Sequence, residues 1–186
     1  MMEKNNENRS TASNVRKLTF SAVFLALALV LPFLTGQIPQ IGSMLCPMHL
    51  PVLLCGFVCG WPWGLAVGLI APVLRSVIFG MPPLLPTALA MTFELGTYGL
   101  VSGLLYSRMP RFRGSLYANL VCAMIAGRVV WGLAYLVIAA AMGISFTWQA
   151  FLAGAVTSAI PGIILQLVII PPIVYAMDRA GLALNR

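Results

Sequence analysis

Three ionisable side chains, Arg75, Glu94 and Arg128, stand inside long apolar runs of this chain. A charge in hydrocarbon costs from about 3 kcal/mol on insertion scales to more than 10 in simulations, so such residues face a cavity, a partner or a solute. Arginine does not shed its proton. If the three groups meet, two Arg and one Glu leave one positive charge, which a carboxylate or phosphate on a ligand would answer. Measured along their helices, Arg75 lies about 6 Å and Glu94 about 12 Å inside the outer end, with Arg128 near mid-depth, so all three can share one half of the membrane. The competing reading is a structural Glu94–Arg128 ion pair, with Arg75 snorkelling outward.

Around Arg128 the helical i+3, i+4 and i+7 positions hold Trp131, Gly132 and Tyr135, an aromatic wall beside a small gap. Met91 and Tyr98 share the face of Glu94. Few polar anchors against an apolar wall is the composition of small-molecule sites, although rings of this kind also face lipid. His49 opens another apolar run and is a candidate hydrogen-bonding partner for a solute or lid. Its setting, Met44-Leu45-Cys46-Pro47-Met48-His49, looks superficially like a soft-metal cluster. Cys and Met are ordinary membrane-core residues, however, and no metal site is expected. Cys55 and Cys59 lack zinc or redox spacing, Cys122 stands alone, and no disulfide is expected. The chain has no Ser-His-Asp set, paired acids, phosphate-cradling Gly loop or HExxH. An enzyme, a resident cofactor and an intrinsic nucleotide motor are therefore not expected.

The elements that must position these residues are membrane helices. Of 186 residues 60% are hydrophobic and 8% charged, far from the soluble norm of about a quarter charged. Six apolar segments follow one another: Leu18–Leu34, Met48–Trp61, Trp63–Phe79, Pro86–Tyr106, Leu116–Met142 and Trp148–Met177. The expected fold is an all-α bundle of six transmembrane helices over residues 18–177. Residues 1–17 read as a disordered polar tail and 178–186 as a second short tail. No small-residue cleavage site follows the first segment, which reads as a retained helix. Lys4, Arg9, Arg16 and Lys17 precede the first segment, Arg108, Arg111 and Arg113 follow the fourth, and Arg179 and Arg186 follow the sixth, whereas the opposite loops have none. That asymmetry predicts cytoplasmic N- and C-termini. It also explains the net charge of +7 without any nucleic-acid partner.

The second segment is the short one, since fourteen residues rise only about 21 Å against a hydrocarbon core of about 30 Å. It either crosses or forms a re-entrant hairpin with the third, and charge counting does not distinguish the two. Trp61-Pro62-Trp63 reads as a tight interfacial turn. The last two segments are longer than a span needs and should tilt or protrude, with Pro161 a candidate kink. Small residues at Gly56, Gly60, Gly64 and Gly68, and at Gly154, Ser158 and Gly162, allow close helix approach, within the monomer in preference to a dimer seam. Ala22 and Ala26 give the first helix a smooth face on which another membrane subunit could dock. The loops Thr35–Pro47, with Gln37, Gln40 and Ser43, and Gly80–Leu85, with Pro82-Pro83, read either as a lid or as plain connections.

This ensemble resembles the substrate-binding (S) components of energy-coupling factor (ECF) vitamin transporters. The likeness rests on the six short helices, Ala22-xxx-Ala26, the stretch from Pro47 to Gly56, the stretch Gly80 to Pro86, and Phe93 to Gly103. It implies a small vitamin-like nutrient captured from outside beneath the first loop, and a coupling subunit in the lipid bilayer docking on Ala22 and Ala26. Two cytoplasmic ATPases would supply energy, and the location would be the cell membrane. Arg75, Glu94, Arg128, His49, Trp131, Tyr135 and Tyr98 are expected to form the substrate site. The surplus positive charge favours an acidic nutrient, and the Pro-Met-His-hydrophobic-Pro stretch looks most like the pantothenate-type branch. Folate, biotin and a flavin or phosphorylated precursor remain alternatives. A self-sufficient secondary carrier and a non-transporting scaffold are the rivals, the first disfavoured by the lack of internal duplication.

Overall fold

The computed structural model describes residues 2–35, 45–109, 114–144, 147–153 and 160–185. Among them every regular element is helical. Helix α1 covers Met2–Val30, so the polar stretch expected to be disordered is helical from Met2 onward. Once a span has nucleated a helix, extension adds one hydrogen bond per residue and escapes the unfavourable first turn, so even polar residues follow. A 3₁₀ turn over Leu31–Thr35 ends this element.

Helix α2, His49–Cys59, is shorter than the expected fourteen residues, and all eleven of its residues are buried. Eleven residues rise about 16 Å, roughly half the hydrocarbon thickness. Sheathed entirely by protein, α2 needs no lipid-facing length. The turn that follows sits at Gly60, one residue earlier than the Trp-Pro-Trp reading placed it. Gly60 takes φ 99°, a conformation open to glycine, and Trp61 and Pro62 then begin α3, Trp61–Phe79. Gly80 in the left-handed region closes α3, its N–H donating to Ser76 O.

An irregular turn over Leu84–Ala88, in which Leu85 is extended, leads into α4, Leu89–Arg108. Helix α5 spans Ser115–Ala141, close to the expected segment. Within the sixth segment the described residues form a short helix, Trp148–Leu152, and α6, Ile160–Arg179. Pro161 stands at the start of the described part of α6, with Pro171 and Pro172 further along it. Gly154 and Ser158 of the second small-residue row, Gln37, Gln40 and Ser43 of the first loop, and Arg111 and Arg113 lie outside the described residues. Among the described residues five helices, α1 and α3 to α6, are long and apolar enough to cross a membrane, with α2 a shorter apolar helix beside them.

Helix α4 is the central post, packing most extensively on α3, then on α5 and α2. Glycine makes this possible. A Cβ on Gly64 would come within 2.7 Å of both Gly56 Cα and Gly99 O, and one on Gly99 would collide with the Gly64 carbonyl. The first small-residue stripe therefore serves backbone-on-backbone contact inside the monomer. Tyr98, Phe57, Leu53, Leu95 and Leu120 fill the core around it.

Candidate functional site

Three of the expected site residues converge on one carboxylate oxygen of a fourth, Glu94. Glu94, 1% exposed, lies in the second turn of α4. Its Oε1 stands 3.0 Å from Arg128 Nη1 of α5 and 3.4 Å from His49 Nε2 at the start of α2. It also accepts a hydrogen bond of 3.0 Å from Tyr98 OH, one turn further along α4. The i, i+4 spacing puts Glu94 and Tyr98 on one face. Gly127 leaves room for the Tyr98 ring, since a Cβ there would strike it, and this lets α5 approach closely enough to present Arg128. The His49 and Tyr98 rings lie 5.2 Å apart, tilted by 57°.

Cys46, which spacing gave no reason to place here, completes the cluster. Its sulfur accepts from Arg128 Nη2 at 3.5 Å, and its carbonyl accepts the His49 N–H at 3.0 Å. Cys46 has φ 48°, left-handed for a residue with a side chain, and burial pushes its thiol pKa up. One residue thus orients both the guanidinium and the helix start that carries the imidazole.

Arg75 does not join them. Near the end of α3, its Nη1 donates to Leu29 O in the last turn of α1, and its guanidinium carbon lies 5.0 Å from the Phe33 ring centroid and 5.4 Å from that of Phe79. The residue is 3% exposed. A helix C-terminus offers carbonyls without intrahelical partners and the negative end of its dipole, and a guanidinium answers both. Arg75 therefore ties α1 to α3, and the expected surplus of positive charge around Glu94 does not arise. Arg128 and Glu94 compensate each other.

Polar capacity nevertheless remains open in the cluster. Among the described residues, His49 Nδ1 and Nε2 and Arg128 Nε are buried without a hydrogen-bond partner, His49 Nε2 lying near Glu94 but outside bonding geometry. Buried polar groups are seldom left so, and a solute that brings both an acceptor and a donor would answer them. Trp131 and Tyr135 continue the Arg128 face of α5, their ring centroids 5.5 Å apart, and Trp131 stacks on Phe151 at 6.2 Å. A separate apolar cleft of about 400 Å³ lies beside this row, between Leu133 and Leu136 of α5 and Trp148 of the short helix. On α1, Ala22 and Ala26 are exposed, whereas Ser21, Phe24 and Ala28 are buried against the bundle.

The family model for the ECF transporter substrate-specific component matches residues 16–174. The chain belongs to this family. Comparison with individual curated proteins and with solved structures returns no match. As an ECF component the protein is a transporter subunit and not an enzyme, of a family that binds small substrates and works with a coupling subunit and ATPases. Its apolar helices make it a multi-pass membrane protein.

Proposed function

We propose that this ECF component captures a small carboxylate-bearing micronutrient, with pantothenate the best candidate, at the Glu94–Arg128–His49–Tyr98 cluster. The observation carrying the reading is the set of buried nitrogens on His49 and Arg128 that have no hydrogen-bond partner among the described residues. In it, the nutrient carboxylate takes Arg128 Nε and shares the guanidinium with Glu94, while hydroxyl or amide groups meet His49 and Tyr98. Trp131 and Tyr135 supply the apolar wall. Because Glu94 already balances Arg128, one carboxylate suits the site better than a multiply charged phosphate. A cation would gain nothing there. Arg75 acts in this scheme through α1, holding the end from which the first loop departs.

The bundle sits in the cell membrane with both termini and the ends bearing Arg108 and Arg179 on the cytoplasmic side, as the positive-inside distribution supports. The exposed Ala22–Ala26 face of α1 receives the coupling subunit, and two cytoplasmic ATPases drive release. A thermal-shift panel of vitamins on the purified protein tests the capture step. Saturable stabilisation by pantothenate, absent in Arg128→Ala, is the expected result. A flat panel in which Arg128→Ala alters only the melting temperature sinks the proposal and leaves a purely structural ion pair. Docking is tested by co-purification of the coupling subunit, which Ala22→Trp and Ala26→Trp should weaken while solute binding persists.

A further inference from the structure

The segment after α6 turns back into the bundle instead of trailing from it. Leu184 N–H donates to Val58 O at 2.7 Å, adding a main-chain bond to a carbonyl in the last turn of α2. Asn185 Nδ2 donates to Gly56 O at 3.3 Å and to Gly103 O at 3.0 Å, bridging α2 and α4 through a single amide. Its Oδ1 faces Gly60, where a Cβ would come within 2.8 Å, so the glycine of the α2–α3 turn also makes room for this side chain. Three carbonyls near the far end of α2 are thereby engaged by two residues that share no element with them.

Helix α2 is short and wholly buried, and it carries His49 at its other end. From Gly56 to His49 the rise is about 10 Å, under two turns apart from the fastened end, so α2 moves as one rod. We propose that Asn185 is a positioning residue for solute capture, pinning one end of α2 to α4 so that the imidazole at the other end is held against Glu94. The proposal rests on the reading that His49 belongs to the solute site. Its mechanism is mechanical and requires no particular solute. When Asn185 leaves, the α2–α3 hairpin loses its side-chain bridge to α4, and His49 loses its fixed register with Tyr98 and Glu94.

His49 is the single histidine of the chain, which makes the test clean. Carbethoxylation by diethyl pyrocarbonate, followed at the absorbance of the modified imidazole, reports its accessibility in detergent-solubilised protein without any ligand. Trypsin cleavage after Arg179 reports release of the segment, and amide hydrogen exchange in the core of α5 reports global opening. Asn185→Ala should raise both the cleavage rate and His49 modification by about tenfold, the loss expected from two hydrogen bonds of ordinary strength. Asn185→Asp keeps the shape but sets a carboxylate against two carbonyls, so it should exceed Ala, while Asn185→Gln, which still donates, should stay closer to the original. Exchange in α5 should stay at the original rate throughout. Faster cleavage with unchanged His49 modification would reduce the segment to a local cap and overturn the proposal. So would unchanged cleavage, or α5 exchange that rises in step with His49 modification. A flat vitamin panel leaves this experiment intact, so the two readings fail separately.

Discussion

Replacing Glu94 by Gln keeps the shape of the side chain on which Arg128, His49 and Tyr98 converge but removes its charge. The Gln carbonyl can still accept from Tyr98, now 3.0 Å from Oε1, so the main loss is compensation of the Arg128 guanidinium, whose side chain is 16% exposed. Breaking a buried pair by removing one partner costs about 3–5 kcal/mol, because the other charge remains uncompensated. The remaining exposure of Arg128 points to the lower end, about 3 kcal/mol, which for a chain of this size is a fall in melting temperature of about 6–12 °C. Arg128→Met should cost a similar amount. Glu94→Gln combined with Arg128→Met leaves no uncompensated charge, so its loss should fall short of the sum of the single losses by about 2 kcal/mol. Chemical unfolding in mixed micelles, carried out as a double-mutant cycle, measures this directly. Losses that add to within about 0.5 kcal/mol would refute the coupling and with it the claim that these two groups share one site.

Arg75→Met should lower stability by about 2 kcal/mol through loss of a charged hydrogen bond to Leu29 O, yet reduce solute affinity far less than Arg128→Met does, as paired melting and binding curves would reveal. Gly99→Ala should cost about 3 kcal/mol or more because the added methyl meets the Gly64 backbone, which cannot yield. Gly143→Ala, with φ 69° but open space around it, should cost only about 1 kcal/mol, so melting temperatures of the two variants separate packing from backbone strain. Of the four cysteines, Cys122 is exposed and the others buried, so a membrane-permeant maleimide should label one thiol per chain and a Cys122→Ser variant should take up none.

Most of the bundle was legible because lipid imposes a simple code. Apolar length marks the spans, and the Gly56–Gly64–Gly68 row marks the tight seam. Glu94 with Tyr98 was readable from helical spacing, and Arg128 from the expense of a buried charge. The destination of Arg75 was not, because its acceptor is a main-chain carbonyl of a helix forty-six residues earlier and no side-chain pattern records that. Cys46 was weighed as a metal-like residue, but its part depends on a left-handed backbone that residue type does not announce. Asn185 sits in a stretch that reads as polar trailing chain. Only the third dimension brings it to Gly56 and Gly103. The missed turn at Gly60 follows the same logic, since glycine in a small-residue row reads as packing until its dihedral is known.

Helices α2 and α3 leave the Gly60 turn together, but α2 stops after eleven residues and α3 continues for nineteen. The imidazole therefore ends about 12 Å short of the level reached by Phe79. Cargo seated over it would lie deep in the slab, where water cannot stand in for a missing contact. Discrimination at such a depth favours rejection over attraction: an analogue lacking one hydroxyl is penalised by 10⁴ or more, whereas one lacking a methylene is penalised only about 10–200-fold. A scavenger built on this plan would forgive trimmed hydrocarbon and be strict about polar groups.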